Sequence, residues 1–401
     1  MTIGRRHRLL SVPALAVLLS LAACGGGGGS SSNQPTPNVQ SLVVDGGPAQ
    51  IPDLAYVSVT ICAPGSSANC QTIDHVQVDT GSTGLRILAS VLSPSLALPQ
   101  QVDASGNPVA ECAQFADGYS FGSVRSADIR IAGEQARGVP IQIIGDAGFP
   151  SIPASCSASG PPENTVQSFG ANGLLGVGVF LQDCGGACAQ AAIPGTYYTC
   201  PPSGCTPLQV PLAQQLQNPV ALFASDNNGV IVQLPLLPAT GAATATGSLI
   251  FGIGTQGDNA LGAATVLTTD PGTGNIVTVW NGRTYTNSYI DAGTSLFAFG
   301  QQAYPSCVGL AIGFYCPATP QTLGATLQGT NARSSAVSFT IGNVDQLFAA
   351  NYNFYAFDDV GGPGGDSATF AWGLPFFFGR SVYTAIEGRS TPGGNGPYFA
   401  F

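Results

Sequence analysis

The chain has 401 residues, of which only 8% are charged; Gly contributes 54 and Pro 30, and the formal net charge is −10. All 11 basic residues are Arg, so no Lys can form a Schiff base and no basic stripe can follow a nucleic-acid backbone; no nucleic-acid partner is expected. Once His7 is removed with an N-terminal leader, His75 is the only histidine left, which excludes a multi-His metal site. A Ser–His–Asp triad would have to run through His75, which reads as a structural or exposed residue in the strand before Asp79. Carboxylates are left as the natural acid–base groups.

In chain order, Arg5, Arg6 and Arg8 precede an apolar run from Leu9 to Ala23 that is too short to span a bilayer comfortably. The following Leu21-Ala22-Ala23-Cys24 resembles the lipobox of bacterial lipoproteins, in which the Cys is lipidated and becomes the mature N-terminus. Residues 1–23 then read as a signal peptide, with an ordinary signal peptide or a short membrane anchor as the alternatives. Gly25 after Cys24 points, by the same resemblance, to the outer membrane of a Gram-negative cell envelope, reached through the N-terminal lipid. Loss of the three leader Arg takes the net charge from −10 to −13. Residues 24–40 are a Gly/Ser run followed by Asn and Pro; they cannot bury a core and read as a flexible tether.

From Ser41 the pattern is short β-branched or aromatic runs separated by turn residues. Strands are expected at 41–44, 56–62, 76–78, 85–88, 126–131, 139–144, 230–233, 248–252, 275–279, 336–341 and 383–386. Asp45-Gly46-Gly47, Asn281-Gly282 and Pro363-Gly364-Gly365 mark turns. Helical periodicity is scarce, with 211–217 and 301–310 as the best segments. The class is mainly β.

Eleven Cys, less Cys24, leave ten, an even number suited to disulfides in an exported chain. Proximity pairs Cys62 with Cys70 and Cys307 with Cys316; Cys112 with Cys156 is a weaker match. Cys184, Cys188, Cys200 and Cys205 are expected to pair among themselves in an undetermined order, with a zinc cluster as the alternative.

Two stretches repeat one another: Val76-Gln77-Val78-Asp79-Thr80-Gly81-Ser82-Thr83 and Ser288-Tyr289-Ile290-Asp291-Ala292-Gly293-Thr294-Ser295. Each delivers one Asp from an apolar run into a Gly turn with hydroxyl residues. If the two carboxylates meet, they cannot both ionise comfortably, and one keeps a proton. About 80 to 95 residues after each Asp comes an apolar-apolar-Gly segment, Leu174-Leu175-Gly176 in the first half and Ala371-Trp372-Gly373 in the second. With these motifs in this order, the chain resembles the bilobal pepsin-like aspartic peptidases. Gly247–Gly252, Val279–Arg283 and Thr384–Glu387 match further family segments, and the resemblance covers roughly residues 41–401. The chain also resembles Gly-rich lipoproteins of Gram-negative bacteria that carry no assigned activity.

The resemblance implies a two-lobed double β-barrel (acid protease fold) with few short helices, residues 41–235 forming one lobe and 236–401 the other. It implies a single-copy protein whose Asp79 and Asp291 share a proton and activate water against a peptide or protein substrate, with no metal or cofactor. Gly81 and Gly293 would turn the chain beneath the carboxylates, and Ser82 and Thr294 would donate to their outer oxygens. Thr80 would make half of a cross-lobe hydrogen-bond pair.

Three residues depart from the family pattern. Ala292 replaces the second Thr, which costs about 1 kcal/mol of support if no group is left unpaired. Arg86 stands where the family carries Trp; it would either oppose proton sharing or turn away to pair with another acid. On the flap hairpin, Phe115 or Tyr119 could take the place of the family's Tyr, with Tyr119 preferred. Asp358, Asp359 and Asp366 could bind calcium but read better as a solvated loop. The functional expectation is an aspartic endopeptidase. The alternatives are an inactive protein of the same fold that binds a peptide, protein or envelope ligand, and a two-carboxylate glycosidase, which needs more widely separated carboxyls.

Overall fold

The computed structural model describes residues 38–300, 302–309 and 311–401. The leader, Cys24 and most of the tether lie outside the described residues. The strand Val39–Val44 takes up the last tether residues, pairing Val39 with Ile250 and Val44 with Ala245. Among the described residues no helix is long and apolar enough to cross a membrane.

The architecture is mainly β and two-lobed. In the first lobe six strands close on themselves: Ala55–Cys62, Tyr119–Ile131, Glu134–Ile144, Thr83–Leu88, Gly173–Val177 and Cys70–Asp79. Closure comes from pairing of the first two, Thr60 opposite Arg130. In the second lobe a seven-stranded sheet from Ser334–Ile341 to Gly361–Gly362 makes a half-barrel. Between them runs a shared sheet of Val39–Val44, Ala245–Phe251, Gly229–Gln233, Ser381–Ala385 and Tyr398–Ala400. Strands from both ends of the chain lie side by side there, so the two halves are tied by backbone hydrogen bonds.

The sequence repeat is also a structural one. Cys70–Asp79 runs parallel to Gly173–Val177, placing Asp79 opposite Gly176. Arg283–Ile290 runs parallel to Thr369–Trp372, placing Ile290 opposite Trp372. In each half the strand after the Asp loop returns antiparallel on the same support, Thr83–Leu88 in the first and Phe297–Phe299 in the second. The support strands are buried on both faces, which is why they read as continuous apolar runs without alternation.

One continuous core runs through both lobes and is filled differently in each. Branched aliphatics such as Val57, Val59, Ile61, Val76, Ile129 and Ile141 fill the narrow closed barrel. The open half-barrel is covered by aromatics: Phe370 stacks on Trp372 at 4.4 Å and on Phe299 at 4.7 Å, and the Trp372 indole donates to Thr278 Oγ1 at 2.9 Å.

All eleven expected strands lie on observed ones, which are longer than expected in most cases. Gln321–Gln328, a polar strand containing Gly324, escaped notice because its apolar side chains are few. The segment 211–217 holds only a 3-10 turn, Leu212–Gln214. The expected helix 301–310 is not formed in residues 302–309, which are irregular apart from a bridge of Ser306 to Tyr315; Gln301 and Leu310 lie outside the described residues. Pro305 lacks a backbone donor and Gln302 sits at φ 71, and both oppose an α-helix.

Among the described residues five disulfides form: Cys62–Cys70, Cys112–Cys156, Cys184–Cys188, Cys200–Cys205 and Cys307–Cys316. The four-Cys cluster is therefore two local bridges, and its sulfurs are not thiolate ligands. Trp372→Ala removes the centre of the aromatic core and leaves Thr278 without its donor. It should destabilise the protein by about 3–5 kcal/mol in a denaturant titration, whereas a change under about 1 kcal/mol would mean that the core is not organised around this ring.

Candidate active site

Asp79 ends its strand, and Asp291 directly follows the strand Arg283–Ile290; both carboxyls are nearly buried. Each chain then turns back through Gly, so its N–H groups fold onto the carboxylate just formed. Asp79 Oδ1 accepts from Gly81 N at 2.7 Å and Ser82 N at 3.2 Å, and Oδ2 accepts from Ser82 Oγ at 2.5 Å. Asp291 Oδ1 accepts from Gly293 N at 2.7 Å, and Oδ2 from Thr294 Oγ1 at 2.7 Å.

The two loops meet face to face. A Cβ added to Gly293 would lie 2.7 Å from Asp79 Oδ1, and one on Gly81 would lie 2.8 Å from Asp291 Cγ. Glycine is required at both positions because each backbone touches the opposite lobe's carboxyl. Asp79 and Asp291 are themselves within hydrogen-bond reach of one another. Burial, then the negative charge of Asp79 and the hydrogen bond with it, push the Asp291 carboxyl well above the usual range; Thr294 and Gly293 pull only weakly the other way. Burial and the facing charge thus both favour the protonated form of Asp291.

Three side-chain hydrogen bonds join the loops. Thr80 Oγ1 accepts from Ala292 N at 2.9 Å and donates to Ile290 O at 3.3 Å. Gln77, on the same strand face as Asp79 by the two-residue period, donates from Nε2 to Gly293 O at 2.9 Å. Sequence reasoning missed Gln77; a polar side chain two residues before Asp79 in an apolar strand was the available signal. Tyr289 holds the matching position before Asp291 and faces the cleft. Burial, then the charges of Asp291 and Asp79, push its phenol up to about 12.

Of the two arrangements open to Arg86, the second is found. It donates to Glu111 Oε1 at 2.5 Å and to Thr83 O at 2.9 Å, with Asp183 at 3.6 Å, all in the first-lobe wall of the cleft. Asp183 is pushed well above the usual carboxyl range by burial and then by Glu111, with Arg86 offsetting part. The guanidinium is thereby committed to Glu111 and Asp183 rather than to the dyad.

The hairpin expected to form the flap is that of Val109–Gln114 and Tyr119–Ile131, with Gln114 opposite Tyr119. Phe115, at its turn, lines the cleft and packs edge-on against Phe169. Tyr119, the preferred flap residue from sequence, is instead buried against Cys112, Phe121, Cys156 and Tyr198. It starts the return strand, and its ring turns back towards the Cys112–Cys156 bridge. At the flap tip Asp117 faces Glu163, whose carboxyl rises to about 8 through burial first and then the charge of Asp117. Both motifs, the flap and the Arg86 cluster line one cleft of about 950 Å³.

Of the remaining residues, His75 and Asp359 do not line the cleft, whereas Asp366 lies beside it, between the lining residues Gly365 and Thr369. His75 is partly exposed between Asp74 and Asp45, as a structural residue would be. Asp366 caps a turn through Ala368 N and Thr369 N, both at 2.7 Å. Asp359 is not solvated as expected but buried, which lifts it to about 7. Among the described residues the one group with metal-ligand spacing is Cys307, Cys316 and Asp345, and its two sulfurs are bonded to each other.

A protein-family model matches residues 34–401, and the chain belongs to that family, described as protein of unknown function (DUF3443). No curated protein matches the chain.

The carboxyl environments set the pH response. Groups held protonated in the fold, Glu163 to about 8 and Asp359 to about 7, contribute fully below the unfolded value near 4 and lose that contribution as pH rises through 7–8. Asp103, lowered to about 2 by donors led by Thr199, contributes above pH ~4 and loses it only as pH falls through about 2. Thermal stability should peak in mildly acid buffer and decline from pH 5 to 8. Asp117→Asn should shallow that decline, and a melting temperature rising steadily to pH 8 would contradict the assignment.

Proposed function

We propose that the protein is an aspartic endopeptidase of the pepsin-like kind, exported and held at the cell envelope, on the outer membrane, by a lipid on Cys24. The observation that carries the reading is the contact of Asp79 and Asp291 through duplicated, Gly-backed, hydroxyl-supported loops at the base of one cleft.

Asp79 has three donors and Asp291 two, and Asp291 is the member pushed upward, so the shared proton belongs on Asp291. An extended peptide lies across the cleft, bonding by its backbone as a strand would, beneath Phe115. Asp79 takes a proton from a water as its oxygen attacks the scissile carbonyl carbon, while Asp291 gives its proton to the carbonyl oxygen. The resulting gem-diol collapses: its proton returns through the pair to the nitrogen, the C–N bond breaks, and an acid and an amine leave. Net consumption is one water. Raising pH through the pair's upper titration removes the proton that Asp291 must give, so activity falls on the alkaline side.

A second reading, a peptide-binding protein without turnover, draws on the flap, which brings Phe115 and not a tyrosine to the cleft. Cleavage of a peptide library from pH 3 to 7, with a pepstatin-like inhibitor, separates the two. Asp79→Asn and Asp291→Asn should each lower kcat/KM by about 10³-fold or more while peptide binding persists. Tight binding with no turnover in the wild-type protein would establish the second reading and overturn the first.

A further inference from the structure

We infer that Gln77 is the cross-lobe positioning residue of the dyad, supplying support that Ala292 does not; the inference rests on the peptidase reading. In the duplicated loops, Thr80 reaches across with one hydroxyl and makes two bonds, to Ala292 N and Ile290 O. The symmetric residue is Ala292, fully buried, whose methyl can make neither of the return bonds. Left there, the Asp291 loop would be fixed from one side by a single side chain.

Gln77 acts on that loop. Its amide, 6% exposed, donates to the Gly293 carbonyl at 2.9 Å. The N–H of the same Gly293 donates to Asp291 Oδ1 at 2.7 Å. Gln77 therefore grips the residue whose amide orients the protonated carboxyl. It comes from the strand that carries Asp79, so one rigid element sets the position of both acids. The matching residue of the other half, Tyr289, lines the same cleft as Gln77. The asymmetry is complementary: the half that lost its threonine hydroxyl at 292 is the half that receives the amide.

A merely structural Gln77 would leave the dyad's behaviour alone. Gln77→Leu removes the donor at similar volume, and Gln77→Asn shortens its reach should the first variant fold poorly. Either should lower kcat about 10-fold with KM nearly unchanged and shift the alkaline limb of the pH profile, because the reacting groups are misplaced and not removed. Hydrogen exchange of the Gly293 amide should quicken by a similar factor of about 10, a readout that needs no turnover. Ala292→Thr added to Gln77→Leu should restore both quantities to within about 3-fold of wild type, since the hydroxyl returns the missing bonds. Unchanged exchange and pH profile in the Gln77 variants, or no rescue by Ala292→Thr, would overturn the inference. If the wild type cleaves nothing, the peptidase reading fails, while Gly293 exchange and its rescue still decide the role of Gln77.

Discussion

Two like-charged groups held in contact away from bulk water are the constraint around which this molecule is arranged. Separate carboxylates would relax into solvent. Here each ends or follows a strand locked parallel to a buried support strand, and each is backed by a glycine facing the other's carboxyl. Burial and the facing Asp79 charge both favour the protonated form of Asp291, which relieves the repulsion. The closed barrel, the half-barrel and the sheet between them serve to hold that contact fixed from both sides.

Similar chemistry recurs across the fold. Asp117 faces Glu163, Glu111 faces Asp183, and Asp226 faces Glu134, which is raised by burial and then by that neighbour. In each case burial and a facing carboxyl push a titration upward, so the folded chain binds protons that the unfolded chain releases. A surface without lysine gives these acids few cations to pair with, and Arg86 is spent on one cluster. The folded chain is thereby expected to be most stable in mildly acid buffer.

Much of this was legible in the sequence because it lay in local patterns. The Asp-x-Gly turns, their apolar-apolar-Gly supports and the close Cys pairs are short-range signals that fix both lobes' key loops. What stayed hidden depends on partners far along the chain. Gln77 reads as an oddity in an apolar strand until the Gly293 carbonyl is brought beside it, 216 residues away. Arg86 had two outcomes until Glu111 and Asp183 were placed around it. Tyr119 could take the flap or pack in the core on sequence alone, because hairpin register, not composition, decides whether a ring faces the cleft or the core. Asp359 looked solvated among glycines and prolines, yet tertiary packing buries it.

The central claim is that Asp79 and Asp291 hold one proton between them. The direct measurement is a pH titration of ¹³C-labelled Asp carboxyls in the intact protein, repeated with Asp79→Asn. One carboxyl should titrate far above the ordinary Asp value, and that value should fall markedly when the facing charge is removed. Two carboxyls titrating independently near the ordinary value, with Asp291 unmoved by the substitution, would contradict it.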